Sequence, residues 1–169
     1  AAKMKHKVVM TPGSPCYFDQ YQAGPEGEPF AIGGFNSLKK VYDYEPIPSE
    51  LSEEESKYVL GSQGNVWTEF ITTTEHLEYM ILPRLLALSE VTWSPKGSKD
   101  WDDFNTRLQS HFKIFGQKGW RFCPGNFTVA IQPVFNNGKL LVNLLSEAKN
   151  SEIYYTLDGS EPNLQSNKY

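Results

Sequence analysis

Gly64-Asn65-Val66-Trp67-Thr68-Glu69 decides how this chain is read. The run is short, β-prone and flanked by glycine, as a buried strand is, and it ends in an aromatic, a spacer and a carboxylate. Upstream, Lys7-Val8-Val9-Met10-Thr11 is a second apolar run of strand length, cut off by Pro12-Gly13-Ser14-Pro15. It too leads to an aromatic, a spacer and a carboxylate, Tyr17-Phe18-Asp19. Between the two runs, residues 23–34 are a Gly/Pro-rich loop, and Ser37 to Tyr44 reads as a short helical turn stopped by Pro46 and Pro48. Ser52 and Glu55 stand at capping-box spacing, which predicts a helix closed by Gly61.

Helical periodicity dominates beyond Glu69. Thr72 and Glu75 repeat the capping-box spacing, and Leu77, Met80, Ile81, Leu85, Leu88 and Val91 form one apolar face, so a long helix is expected to about Trp93. Pro83 inside it should kink the helix or shift its start. Asp100 opens another helix, with Trp101, Phe104, Leu108, Phe112 and Phe115 in steps of three and four, and Gly116 and Gly119 end it. From Phe127 the texture turns to β. Thr128 to Ile131, Lys139 to Leu145 and Glu152 to Leu157 are three strand-like runs, with turn chemistry at Asn136-Asn137-Gly138 and Asp158-Gly159. A boundary is placed near Cys123-Pro124-Gly125.

The order strand, loop, helix, strand, helix, helix suits βα units around a parallel sheet. Two strands do not close a barrel or make a stable open sheet, so the region is expected to be completed by other residues or a partner, or to self-associate through Val8, Met10 and Val66. In such folds the C-terminal strand ends face the active site, which puts Tyr17-Phe18-Asp19 and Trp67-Thr68-Glu69 on one face. Alternation along a strand puts Trp67 and Glu69 on one side, away from Thr68. An aromatic face stacks on the C–H face of a pyranose and carboxylates accept bonds from ring hydroxyls, so the pair of triplets suits a sugar.

The bulk numbers narrow the classes. With 169 residues, net charge −4 and no Lys/Arg block, nucleic acid and anionic membrane are not expected partners. No apolar run reaches the ~20 residues of a spanning helix. The opening Ala1 to Lys7 lacks the apolar centre of a signal peptide and leads straight into a strand, which suggests a boundary inside a domain. Cys16 and Cys123 match no metal or redox spacing and are expected to be buried thiols; His6, His76 and His111 share no ligand spacing, so no metal is expected. Arg84 and Glu90 are expected to pair or cap within the helix layer, and Trp93, Trp101 and Trp120 to pack in the core or between domains.

Longer stretches carry a family resemblance. Gly61-Ser62-Gln63-Gly64-Asn65-Val66-Trp67-Thr68-Glu69-Phe70 resembles the last barrel strand of the family 20 glycoside hydrolases, the β-N-acetylhexosaminidases. Glu78-Tyr79-Met80-Ile81-Leu82-Pro83-Arg84-Leu85-Leu86-Ala87-Leu88-Ser89-Glu90-Val91-Thr92-Trp93-Ser94 resembles the helix after it. Val8 to Pro12 with Tyr17-Phe18-Asp19 resembles the preceding strand and loop, and Trp101, Phe104, Arg107 and Leu108 fit the terminal helix. Tyr154-Tyr155-Thr156-Leu157-Asp158-Gly159-Ser160-Glu161-Pro162 is similar to a β-sandwich module found after many of these barrels.

The resemblance implies an α/β fold: residues 1–122 as the last two βα units of a (β/α)8 barrel, and 126–169 as the start of an all-β, Ig-like sandwich. It implies substrate-assisted retaining hydrolysis of terminal N-acetylhexosamine, in which the substrate's own acetamido oxygen attacks the anomeric carbon. Tyr17 would orient that group, Trp67 would wall its pocket, and Asp19 and Glu69 would hold outer hydroxyls. The family's proton work belongs to an adjacent Asp-Glu pair, and no such dipeptide occurs in the sequence. The isolated chain is therefore expected to be inactive. The partners implied are glycans ending in N-acetylglucosamine or N-acetylgalactosamine, with no cofactor, and the substrate type implies an exported parent protein, periplasmic or extracellular. The rival reading is a non-catalytic carbohydrate-binding or structural piece.

Overall fold

β1 (Val8–Met10) and β2 (Val59–Ser62) pair in parallel in the computed structural model, which describes residues 1–23, 27–125, 129–146 and 151–169. Val8 N–H donates to Tyr58 O at 2.9 Å and Gln63 N–H to Met10 O at 3.0 Å, bracketing the pair. The register slips between them: Val8 faces Val59 but Val9 faces Gly61, so Leu60 is the extra residue of a bulge. Gly61 takes φ +139° there, a conformation that a side chain resists.

Two expectations are corrected here. The capping box at Ser52 forms in both directions, yet helix α3 (Glu53–Ser56) lasts a single turn, so Gly61 ends no helix. The second strand lies at 59–62 rather than 64–69, because Tyr58, Val59 and Gly61 carry the main-chain pairing with β1. Parallel contact resumes at one isolated bridge, where Phe18 N–H donates to Asn65 O and Asn65 N–H to Cys16 O, both at 2.7 Å. Val8, Met10 and Val66 are half-buried, and the exposed apolar side chains of this region are Val9 and Leu60.

The helices follow local chemistry. Pro83, which has no N–H to donate, divides the expected long helix into α4 (Thr74–Ile81) and α5 (Arg84–Trp93). The cap is Thr73, one residue later than its sequence spacing suggests, with its side chain accepting from His76 N–H. Asp100 caps α6 (Trp101–Lys118) by accepting from the N–H groups of Asp102 and Asp103; Gly119 closes it at φ +70°, with Gly116 inside the helix. Ser37 caps α2 (Leu38–Tyr42). Before it, Gly13–Cys16 forms one distorted turn, α1.

Val41, Tyr42, Leu88, Phe104, Leu108 and Phe115 lie at the centre of the core, where α2, α5 and α6 meet Phe18. Trp101 packs on this cluster, its ring stacked 5.7 Å from that of Phe104. Trp93, by contrast, is 88 % exposed, and Trp120 lies partly exposed against Phe115, so neither is a core residue. Glu90 accepts a bond from Tyr42 Oη and two from Arg107 Nη2, at 2.9 and 2.7 Å; Arg84, expected to pair with it, is held elsewhere.

The chain divides into two units, Ala1–Gly125 and Asn126–Tyr169. In the second, β3 (Val129–Asn136) and β4 (Lys139–Ser146) form an antiparallel hairpin. Its turn residues Asn137 and Gly138 both have positive φ, 49° and 73°, as a tight right-twisted hairpin requires. β5 (Tyr154–Tyr155) pairs antiparallel with β6 (Asn167–Lys168), shorter than the run expected from Glu152 to Leu157. Phe127 and Thr128 lie outside the described residues. No helix among those described is long and apolar enough to cross a membrane.

Candidate functional site

Tyr17-Phe18-Asp19 rises from the turn after β1, and Trp67-Thr68-Glu69 from the segment after β2. Tyr17 pairs with Asn65 in an isolated parallel bridge, and beyond it the main-chain N–H of Trp67 reaches the Asp19 carboxylate. The rings of Tyr17 and Trp67 lie 6.2 Å apart, tilted by 60°. Trp67 is 52 % exposed, so this aromatic corner is open to a ligand. Residues 66–69 are not a strand, so alternation does not set the directions of Trp67 and Glu69. A turn closed by Ile71 N–H to Thr68 O carries Glu69 into solvent.

Asp19 is the buried carboxylate of the group, 6 % exposed, and its Oδ1 has no hydrogen-bond partner among the described residues. Burial raises its pKa above the ordinary carboxylate value, and the nearby Glu69 charge adds to that. The main-chain N–H of Asp19 itself, the charge of Arg84 and the N–H of Trp67 oppose the rise. An unpaired oxygen on a buried carboxylate costs stability, and a hydroxyl donor entering the corner would satisfy it.

The loop that carries Tyr17 and Asp19 is braced from behind. Asn36, fully buried, donates from Nδ2 to Tyr17 O at 3.0 Å, Gly13 O at 3.1 Å and Gln20 Oε1 at 2.8 Å. Arg84 is fully buried as well. Its guanidinium donates to Gln20 O and Asn36 O, each at 3.0 Å, to Phe18 O at 2.6 Å, and to Met80 O. Sequence reasoning missed both residues. Arg84 carried a signal, since it sits four residues from both Met80 and Leu88 and so on the apolar face of the helical pattern. Asn36 carried none.

Further from the corner, Glu28 accepts from Tyr79 Oη at 2.6 Å, from Gln22 N–H at 3.2 Å and from Cys123 Sγ at 3.6 Å. Burial pushes the Cys123 thiol up to about 12, so it stays protonated, and burial raises Cys16, whose Sγ lies 3.3 Å from Ser62 Oγ. Both cysteines are free and buried, and neither suits nucleophilic work. Among the described residues no cluster of three or more His, Cys, Asp or Glu side chains could hold a metal ion. A groove of about 490 Å³ beside β2, lined by Pro46, Ile47, Leu51, Val59 and Val91, contains none of the four corner residues.

Comparison with known proteins gives concordant matches. Residues 1–96 match the glycosyl hydrolase family 20 catalytic domain, and residues 142–169 match an Fn3-associated region. The whole chain is 40% identical to part of a beta-hexosaminidase of Porphyromonas gingivalis, and 72% of it is 39% identical to part of a beta-N-acetylhexosaminidase of Cellulomonas fimi. These matches cover only 22% and 24% of those proteins. A crystal structure of a GH20 exo-β-N-acetylglucosaminidase from Vibrio harveyi, in complex with N-acetylglucosamine, superposes with a TM-score of 0.64 at 30% identity. A Streptomyces plicatus β-hexosaminidase mutant bound to product GlcNAc superposes at 0.63 and 25% identity. Each superposition covers 73% of this chain, and 20% and 25% of the other.

Proposed function

The chain belongs to glycosyl hydrolase family 20, and from that premise we propose that it forms one wall of the sugar pocket of a β-N-acetylhexosaminidase. β1 and β2 with their helices are the last two βα units of a (β/α)8 barrel, and residues 126–169 begin an all-β sandwich. The whole protein removes terminal N-acetylhexosamine by the substrate-assisted retaining route. The observation that carries the reading is the Tyr17–Trp67 corner, with the unpaired Asp19 oxygen beside it.

Each side chain has a defined task. Tyr17 Oη donates to the acetamido oxygen and aims it at the anomeric carbon. Such a bond matters most as charge develops on the reacting group. The indole of Trp67 walls the acetamido group and the C–H face of the sugar. Asp19, buried and unpaired at Oδ1, accepts from an outer hydroxyl, and Glu69 accepts from a neighbouring one. The proton donor is not among these residues. An Asp-Glu dipeptide is missing from the sequence, and in this reading Asp19 and Glu69 hold hydroxyls and face no leaving group.

Assay of the purified 169-residue chain against a chromogenic N-acetylglucosaminide tests this division of labour. The expected result is no turnover, while the complete protein hydrolyses the same substrate. Turnover by a contaminant-free sample of the chain, abolished by Glu69→Gln, overturns the placement of the acid outside it. Sugar binding without turnover by the complete protein would support a carbohydrate-binding module instead.

A further inference from the structure

We propose that Arg84 is the positioning residue of this pocket, clamping the peptide groups on either side of Asp19 so that its carboxylate is presented to the sugar. The inference rests on the pocket reading above. Phe18 and Gln20 flank Asp19 in the chain, and one planar guanidinium binds the carbonyl oxygens of both, at 2.6 and 3.0 Å. The same group binds Asn36 O at 3.0 Å and lies 5.0 Å over the Phe18 ring. Asn36 in turn holds Tyr17 O and the Gln20 side chain. The fork therefore fixes the main chain before and after Asp19, and reaches Tyr17 through one further residue. A lysine has no equivalent, because its ammonium is a point donor without the planar geometry that spans four carbonyls.

The partners of Arg84 are informative in a second way. Every hydrogen bond given for it goes to a neutral carbonyl, and its Nε has no partner among the described residues. Among the described residues no carboxylate hydrogen-bonds it, and a fully buried cation held this way is an expensive way to brace a loop. The charges of Glu28 and Asp19 support the cation from nearby, and it acts in turn on Asp19, where burial favours the protonated acid and the guanidinium favours the carboxylate. The other groups acting on Asp19 are Glu69, from the segment after β2, and the N–H groups of Asp19 and Trp67. Burial pulls Arg84 itself down to about 9, which leaves it charged at neutral pH.

The test uses the complete enzyme, with kcat and KM measured across pH on a chromogenic N-acetylglucosaminide for Arg84→Met, Arg84→Lys, Asp19→Asn and the Arg84→Met/Asp19→Asn pair. Arg84→Met should raise KM about tenfold or more, with a smaller fall in kcat. It should also move the acidic limb of kcat/KM to higher pH, because the carboxylate loses its supporting charge. Arg84→Lys should raise KM while leaving that limb near the parent's, since the charge stays and the fork is lost. In the Asp19→Asn background, Arg84→Met should cost little more. If Arg84→Met does not fold, the lysine variant decides, and a parental KM in that variant overturns the proposal. A parental pH limb in folded Arg84→Met, or losses that add fully with those of Asp19→Asn, also overturn it. A costly Asp19→Asn with additive Arg84→Met sinks only the positioning role, whereas parental kinetics in Asp19→Asn overturn the pocket reading itself.

Discussion

Gly64→Ala probes the joint on which the site hangs. A Cβ at Gly64 would stand 2.8 Å from Phe18 Cε2, 3.1 Å from Phe18 Cζ and 3.2 Å from Leu88 Cδ2. Phe18 has little room to yield: its ring is buried in the core under the Arg84 guanidinium, and its N–H is bonded to Asn65 O at 2.7 Å. The backbone of the next residue is pinned from the other side, by Asn65 N–H to Cys16 O. Overpacking of this kind costs about 1–3 kcal/mol. At roughly 2–4 °C per kcal/mol for a domain of ~150–250 residues, the Tm should fall by about 2–12 °C. The displaced residues adjoin Tyr17 and stand two before Trp67, so kcat/KM of the complete enzyme should fall as well. Differential scanning calorimetry and steady-state kinetics on the same preparation measure both. Gly97→Ala is the control, because nothing lies within 4 Å of its Cβ position and its φ is ordinary; its Tm should stay at the parent value or rise slightly. A Gly64→Ala enzyme with parental Tm and parental kcat/KM would refute the close packing of Phe18 on Gly64 and the coupling of that packing to the site.

Two further outcomes follow from the same geometry. Tyr17→Phe keeps the ring against Trp67 and removes one hydroxyl, so kcat should drop more than KM rises on N-acetyl substrates; equal losses on a sugar lacking the amide would contradict an acetamido-orienting role. Asp19→Asn should weaken substrate binding and yet raise the Tm at neutral pH. The folded pKa of Asp19 lies above its ordinary value, so its ionised form opposes folding, and the advantage of the neutral variant should fade as pH falls through that pKa. A Tm gap that widens in acid would show that the sign is wrong.

Local chemistry made much of the fold legible. Pro83 announces the break between α4 and α5, Asp100 the start of α6, and Asn137-Gly138 the hairpin turn, because each acts on its own few residues of backbone. The second strand was less legible. Tyr58-Val59-Leu60 directly follows a helix signal that is real but lasts one turn, and only pairing with Val8 and Val9 shows where the strand lies. Gly61 reads equally as a helix stop or a bulge until that partner is known. At the site, the meeting of Tyr17-Phe18-Asp19 with Trp67-Thr68-Glu69 could be read from the logic of parallel strand ends. The burial of Asp19 could not, since the Arg84 and Asn36 bonds hold its loop, nor could the exposure of Trp67, whose segment leaves strand pairing after Asn65. Arg84 reads as a helix-layer charge that pairs or caps with Glu90, although its spacing from Met80 and Leu88 puts it on the apolar face, where arginine is rarely found.

The central claim is that Tyr17, Asp19, Trp67 and Glu69 form the wall of an N-acetylhexosamine pocket, and Trp67→Ala tests it most directly. Trp67 is half exposed and its ring meets only Tyr17 among the aromatic contacts described, so its loss should leave the core intact. The measurement is kcat/KM of the complete protein on a chromogenic N-acetylglucosaminide, beside the parent. The account predicts a loss of about 10²-fold or more, roughly 3 kcal/mol of transition-state binding, with KM up and kcat down together. A folded Trp67→Ala enzyme within a few-fold of the parent would contradict it.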